Sequence, residues 1–510
     1  MKISSQKPGF GPLLEGFGAF FVSLVALSAF VFFQWRLLWL RHFDEDELEH
    51  MHAAWCTAKG MVPYRDFGEV HPPFLYYLLS PFFAFFDVER GIDNALGFIF
   101  FGRILMWAVM ILVLGLTVWL GKRVAGARAG FVAAALLAST TFFQDKALEV
   151  RPDNPALVFW LTSILCTLMA LRHEDKNHKT PVGLFLTAGF CLGMAIISTQ
   201  KILMVAPGLG VAAALYLYEG QRKKALAIKL GGLFSYLGGA LLPIAAVSVF
   251  FQAHHALGAF YHHTLIMPLR WKVRLDPFDY VRQFFCQNPF FLLAAATGFA
   301  ASFRRPKRED RFFMLATFSL VAGIFILQEP YRQYYMTFLP LLAVYASIGL
   351  FKWIDWAAVF QNKLSPTRRY AVLDGAAALL LVLALFYPLR AAYQKAFHGD
   401  TRIAEERISK IRFIMENTGP QDTVLEAWPV YGVFRPHAFF YFFPNSEIRP
   451  MIDEGRIDEF FEKLRSGAVR PKLIGFDRSV KALSPEITSF IETHYEPTRM
   501  PEIWMDKNSG

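Results

Sequence analysis

Residues Asp44–Pro73 read DEDELEHMHAAWCTAKGMVPYRDFGEVHPP and lie between two long apolar segments. Carboxylates and histidines crowd the stretch, and a Pro-Pro pair closes it. Acidic groups so near a bilayer are costly unless they have a task, which marks this loop as a candidate functional element. Asp46, Glu49, His50 and Ala53 recur at helical spacing, as do Leu48, Met51 and Trp55 on another face. The pattern predicts an amphipathic interfacial helix, polar side toward a cavity and apolar side toward lipid. A solvated helix start is the competing reading of the acids, since carboxylates favour the N-terminal dipole. Val62–Phe67 then turns the chain. Phe74–Phe86, with 13 residues, fits a re-entrant or interfacial helix better than a full span.

Composition sets the environment. The chain has 510 residues, of which 55% are hydrophobic and only 18% charged, with a mean hydropathy of +0.33. A soluble domain is nearer a quarter charged, so this composition indicates a membrane protein with several spans. The net charge of +10 does not indicate nucleic acid, because the basic residues sit in short clusters between apolar runs, as in cytoplasmic loops. Four cysteines, Cys56, Cys166, Cys191 and Cys286, lack metal-ligand spacing and imply no disulfide framework. The first apolar run reads as an anchor rather than a cleaved signal. Walker A, strand-linked GxGxxG, GxSxG and HExxH motifs are absent from the sequence.

Eleven apolar cores begin near Phe17, Ile104, Ala129, Pro155, Val182, Ile202, Leu230, Pro289, Phe312, Met336 and Gly375. Every second connection is basic, among them Lys122–Arg128, Arg222–Lys224 and Arg304–Arg311. These connections read as cytoplasmic, which places the N-terminus inside and the C-terminus outside. The tail changes character near residue 390. Thr401–Asn417, Ile457–Leu464 and Ile487–His494 read as helices, and Thr423–Ala427 and Leu473–Phe476 as strands. The expected fold is a polytopic α-helical membrane protein of about eleven transmembrane helices with a small C-terminal α/β extracytoplasmic domain. Residues 1–390 form the first domain, with the outer loop at 41–90, and 391–510 form the second.

The chemistry-bearing residues gather in the outer loops. Asp153, in Glu149-Val-Arg-Pro-Asp-Asn-Pro155, precedes a span and doubles as a helix cap. Lys201 sits in a short turn, where it either snorkels to headgroups or meets a phosphate. Arg270, Lys272 and Arg274 would point the same way in an extended segment and could clamp a phosphate. Arg332 stands among tyrosines, including Tyr334, that otherwise read as interfacial belt residues. The His254–His255 and His262–His263 pairs lack ligand spacing, so no metal site is expected there.

Asp46-Glu47, the following Gly60, VPYRDF and HPPFLYY resemble the polytopic GT-C glycosyltransferases, which include protein O-mannosyltransferases and the aminoarabinose transferases of lipid A. That family carries an Asp-Glu pair in its first outer loop, then a Gly and a Pro-Pro-Leu element. Asp153 is similar to its second acidic site, and Gln333–Ala343 to its late spans. His71 departs from the lysine that often precedes Pro-Pro in the aminoarabinose group. Asp44-Glu45 is a second register for the pair; the spacing to Gly60 favours Asp46. The tail matches no family that can be named.

The resemblance implies transfer of a hexosyl or pentosyl unit from a polyprenyl-phosphate donor to a lipid, glycan or protein hydroxyl, with inversion, at the outer face of the inner membrane. Asp46 is then the general base, with Glu47 beside it and Asp44 as the alternative, and Asp153 orients the acceptor or shares that role. Lys201, Arg270, Arg274, Arg332 and His71 become donor-phosphate contacts, and Tyr64, Arg65 and Tyr334 substrate contacts. No cofactor or metal is required, although such carboxylates also hold Mg²⁺. The competing function is a transporter or flippase of a lipid-linked or acidic solute, which would place its charges nearer the bilayer midplane.

Overall fold

A computed structural model describes residues 17–177, 179–219, 223–271, 275–304, 306–327, 330–359, 366–428 and 430–508. The membrane part runs through α1 (Gly18–Leu40), α2 (Glu45–Ala58), α3 (Phe74–Leu79), α4 (Ile92–Ala125), α5 (Ala127–Ser139), α6 (Thr141–Lys146), α7 (Asp153–Asn177), α8 (Val182–Ser198), α9 (Ala206–Tyr218) and α10 (Lys223–Ala253). Further long helices cover Pro289–Ser302, Arg308–Gly323, Leu339–Val359 and Pro366–His398. All eleven apolar cores fall on or against helices. Among the described residues, six helices are long and apolar enough by themselves to cross a bilayer. A bent pair, Pro277–Gln287 with Pro289–Ser302, meets at 104°. Phe21, Phe32, Leu112, Phe234 and Leu383 are exposed on the flanks of the bundle, where lipid is the apolar solvent. The chain is an integral membrane protein.

Close helix contact relies on small residues, as expected where apolar burial alone cannot drive association. Gly189 and Gly193 of α8 lie one turn apart against α10. A Cβ on Gly189 would fall 1.9 Å from the Tyr236 carbonyl oxygen, and one on Gly193 2.3 Å from that of Ala240.

Asp44 caps α2, accepting from the Asp46 amide, while Glu47 reaches back to the Asp44 amide, a reciprocal capping box. The helix ends where Gly60 adopts φ +84°, beyond the reach of most residues with a side chain. Every residue from Glu47 to Thr57 is buried. The apolar face of α2, expected to lie against lipid, is instead enclosed. Leu48, Met51 and Trp55 share one core with Phe98 and Met106 of α4 and with Ile411, Val433 and Phe434 of the tail. The Phe74–Phe86 piece is an α-turn, α3, continued as a 3₁₀ helix to Phe85, too short to span.

The last membrane helix continues past residue 390 to His398. The tail then forms the helix Arg402–Asn417 and a four-stranded sheet of β1 (Val424–Leu425), β2 (Leu473–Gly475), β3 (Tyr495–Pro497) and β4 (Ile503–Asp506), ordered β1-β2-β4-β3. β1 and β2 are parallel and the other pairs antiparallel. The sequence reading missed β3 and β4; Pro497 argues against a strand, and the sheet tolerates it because β3 is an edge. The tail is bolted to the first loop. His52 Nδ1 lies 3.0 Å from the Val433 carbonyl oxygen, and the Gly68 amide donates to Phe440 O at 2.7 Å. Arg407 reaches Phe43 O and Glu45.

Glu426 follows β1 and is buried. Burial raises its carboxyl pKa to about 8, although the Gly432 and Tyr431 amides donate to it. A folded-state value above the unfolded one means the folded tail holds a proton that the unfolded chain releases, so stability falls as pH rises from near 4.5 through about 8. Thermal melts of the wild type should show this decline, and Glu426→Gln should flatten it across the same window.

Candidate active site

The start of α2, the approach to α7 and the end of α8 meet at one end of the bundle, beneath the tail. Arg151 is the centre of charge. Its guanidinium contacts Glu149 at 2.7 Å, bonds Asp46, and lies 3.7 Å from both Asp44 and Asp153. Two flanking cations balance the remaining acids: Lys146 lies 2.9 Å from Glu149, and Lys201 Nζ is 2.9 Å from both Asp153 oxygens. Burial works against Glu149, but Arg41, Lys146 and Arg151 outweigh it and bring its pKa down to about 2. Burial also works to raise Asp46, and Arg151 with Lys146 offsets this so that its pKa falls below the usual carboxylate value. Asp44 moves the other way, up to about 6, through burial and the nearby charges of Glu149 and Asp46. Of the two candidate bases, Asp46 is therefore held ionised the more firmly.

A cavity of about 800 Å³ opens beside this group. Asp46, Glu49, His71, Arg151, Lys201 and Tyr334 border its polar end, Leu203, Val211, Leu265, Leu315, Phe318 and Ile326 an apolar arm, and Trp428, Phe443, Asn445 and Glu447 a wall given by the tail. Lys201 also stands 4.7 Å from the centre of the Tyr334 ring. No residue of the tail is singled out by the sequence analysis, because its contribution depends on a docking that no local pattern encodes.

Several expected residues are placed elsewhere. Glu47 is turned into the protein, bonded to Arg103 at 2.9 and 2.7 Å, and so positions α2. Asp153 neutralises Lys201 from behind the cavity wall. Tyr64 is buried against Phe251 and Phe260, its hydroxyl donating to His71 O at 2.6 Å, and it braces the turn before Pro72. Arg65 is exposed and pairs with Asp66 at 2.8 Å. Arg332 faces Asp145 at 3.5 Å, and Arg270 is exposed at a helix end. Among the described residues, these last three and Tyr64 do not line the cavity. Arg274 lies outside the described residues. Arg151 carries no role in the sequence analysis; its spacing two residues from both Glu149 and Asp153 is the available signal.

Residues 70–251 match the model of the family described as dolichyl-phosphate-mannose-protein mannosyltransferase. No curated protein matches the chain. Among solved structures, ArnT from Cupriavidus metallidurans bound to undecaprenyl phosphate superposes with a TM-score of 0.60 at 14% identity, over 89% of this chain and 92% of that one. The oligosaccharyltransferase of Archaeoglobus fulgidus in the apo form superposes with a TM-score of 0.57 at 14% identity, over 90% and 70%. AglB from the same organism, in complex with an inhibitory peptide and a dolichol-phosphate, gives 0.55 at 14% identity, over 90% and 69%. The polytopic bundle, the acidic first loop beneath a docked tail, and these superpositions identify the chain as a membrane protein with the GT-C glycosyltransferase fold.

Proposed function

We propose that this protein transfers a glycosyl group from a polyprenyl-phosphate donor to an acceptor hydroxyl at the non-cytoplasmic face of the membrane, with inversion at the anomeric carbon. One observation carries the reading. A carboxylate held ionised, Asp46, and two buried cations, Arg151 and Lys201, border the polar end of a cavity whose other arm is apolar. The apolar arm suits isoprene units, and the cations suit a phosphate. The solved ArnT and AglB structures hold polyprenyl phosphates, which supports this choice of donor.

Asp46 takes the proton of the acceptor hydroxyl as its oxygen attacks the anomeric carbon. The bond from that carbon to the phosphate oxygen breaks, and its electron pair leaves with the phosphate. Arg151 and Lys201, already fixed by their carboxylate partners, stabilise the growing negative charge without further reorganisation. Attack opposite the leaving group inverts the centre and needs no covalent intermediate. The flippase alternative lacks comparable support, since the charged groups of the cavity gather at its end beneath the tail.

Mass spectrometry of membranes from cells lacking the protein should show a sugar-carrying polyprenyl phosphate that accumulates. Adding back the purified protein should consume this lipid and yield a product of opposite anomeric configuration. Identical lipid profiles with and without the protein would remove the reading.

A further inference from the structure

α1 and the last membrane helix, Pro366–His398, run side by side in the same direction. At one end the Gly18 amide donates to Asp374 Oδ2 at 2.8 Å. At the other, toward the tail, Phe33 packs on Tyr393 with ring centroids 5.9 Å apart. Between the helices lies a groove of about 520 Å³ that shares no residue with the cavity of the active site. It follows α1 from Phe21 to Phe33, about 18 Å of helix. Ala26 and Ala29 keep its floor low, buried Leu385 closes it, and the exposed rings of Phe21, Phe386 and Tyr393 stand around it. On a pair of membrane-crossing helices, a long apolar channel of this kind takes an acyl chain.

One residue of the lining is charged. Arg390 is exposed and, among the described residues, has no hydrogen bond, ion pair or ring partner. Asp374 and Arg390 are 16 positions apart, which is about 24 Å of helix. The hydrocarbon layer is about 30 Å thick, so with Asp374 at one edge Arg390 lies just inside the other. An unpaired arginine at that depth is costly, and its long stem lets the guanidinium rise to the phosphate level. Tyr387 and Tyr393, exposed on either side of it, mark the same interfacial belt. The neighbouring cations are already engaged. Arg36 donates to Ala396 O at 3.3 Å and lies over the Phe397 ring, and Lys395 pairs with Asp145 at 2.8 Å.

We propose that the groove between α1 and Pro366–His398 binds one anionic glycerophospholipid of the tail-side leaflet, with an acyl chain along Ala26 and Ala29 and the phosphate on Arg390. The planar fork of the guanidinium matches two phosphate oxygens. A zwitterionic headgroup brings its own cation to the same phosphate, so a net negative headgroup binds better. The lipid also braces the first loop. α1 leads directly into that loop, and its last carbonyls share Arg103 with Glu47 of α2. The site stands whether or not glycosyl transfer is the reaction.

The test uses the full chain in mixed micelles holding dioleoylphosphatidylglycerol and dioleoylphosphatidylcholine at equal mole fraction, washed with detergent and weighed by native mass spectrometry. Wild type should retain one phosphatidylglycerol with about fivefold preference over phosphatidylcholine, the worth of one arginine at an anionic surface. Arg390→Gln should lose the preference. Ala29→Trp, which fills the groove, should retain neither lipid. Arg412→Gln, on the exposed side of the tail helix, should behave as wild type. Elution volume and circular dichroism check the fold of each variant. Equal retention of the two lipids by wild type overturns the proposal, as does an unchanged preference in Arg390→Gln. Displacement of phosphatidylglycerol by undecaprenyl phosphate at equal mole fraction overturns it too, since the groove would then be a polyprenyl-lipid site. If Ala29→Trp does not fold, wild type and Arg390→Gln decide. None of these readouts depends on sugar transfer.

Discussion

Purified Asp46→Asn protein is expected to lose transfer by about 10²–10⁴-fold, the range that a positioned general base contributes. Asp46 borders the cavity and pairs with Arg151. Burial alone would raise its pKa, but Arg151 and Lys146 more than offset this, so the carboxylate is ionised at neutral pH, the form a base requires. Asparagine fills the same volume and still accepts a hydrogen bond from Arg151, but it takes no proton. Asp44→Asn is the matching control. Asp44 caps α2 through the Asp46 amide at 3.2 Å. Because asparagine caps about as well as aspartate, its replacement should leave transfer largely intact. Initial rates with a polyprenyl-phosphate sugar, alongside circular dichroism and size-exclusion profiles, separate the two. Full activity in Asp46→Asn, or an equal loss in well-folded Asp44→Asn, would move the base away from Asp46.

Local order was legible where local chemistry dictates it. The acidic start of α2, the apolar cores and the helices of the tail all follow from spacing, caps and periodicity. The partners of the site were not legible. Glu47 and Arg103 are 56 positions apart, and Asp46 and Arg151 are 105 apart; both pairs exist only because α4 and the approach to α7 pack against α2. The covering of α2 was misread for a different reason. Periodicity shows that Leu48, Met51 and Trp55 share a face that leaves water, but lipid and a docked domain satisfy such a face equally well.

The largest loss of stability is expected from Arg103→Ala. Arg103, in α4, is 1% exposed and uses all five of its N–H donors. Two bond Glu47, at 2.9 and 2.7 Å. The other three bond Leu38 O, Arg41 O and His42 O at 3.0, 2.9 and 2.8 Å, closing the carbonyl end of α1 where helical partners run out. Alanine leaves Glu47 buried without its cation and strands those carbonyls, and breaking a buried pair from one side costs about 3–5 kcal/mol. Arg103→Lys keeps the charge but lacks the planar fork, so it should recover only part of that loss. The double variant Arg103→Met, Glu47→Gln removes both charges and should be more stable than Arg103→Ala alone, because no lone carboxylate remains buried. Thermal or denaturant unfolding in one detergent ranks the variants. If the double variant is as unstable as Arg103→Ala, the donors to the α1 carbonyls rather than relief of the stranded charge are what the arginine supplies. Transfer should track this ranking, since Glu47 and Asp46 are neighbours in the first turn of α2 and a loosened Glu47 no longer holds Asp46 against the cavity.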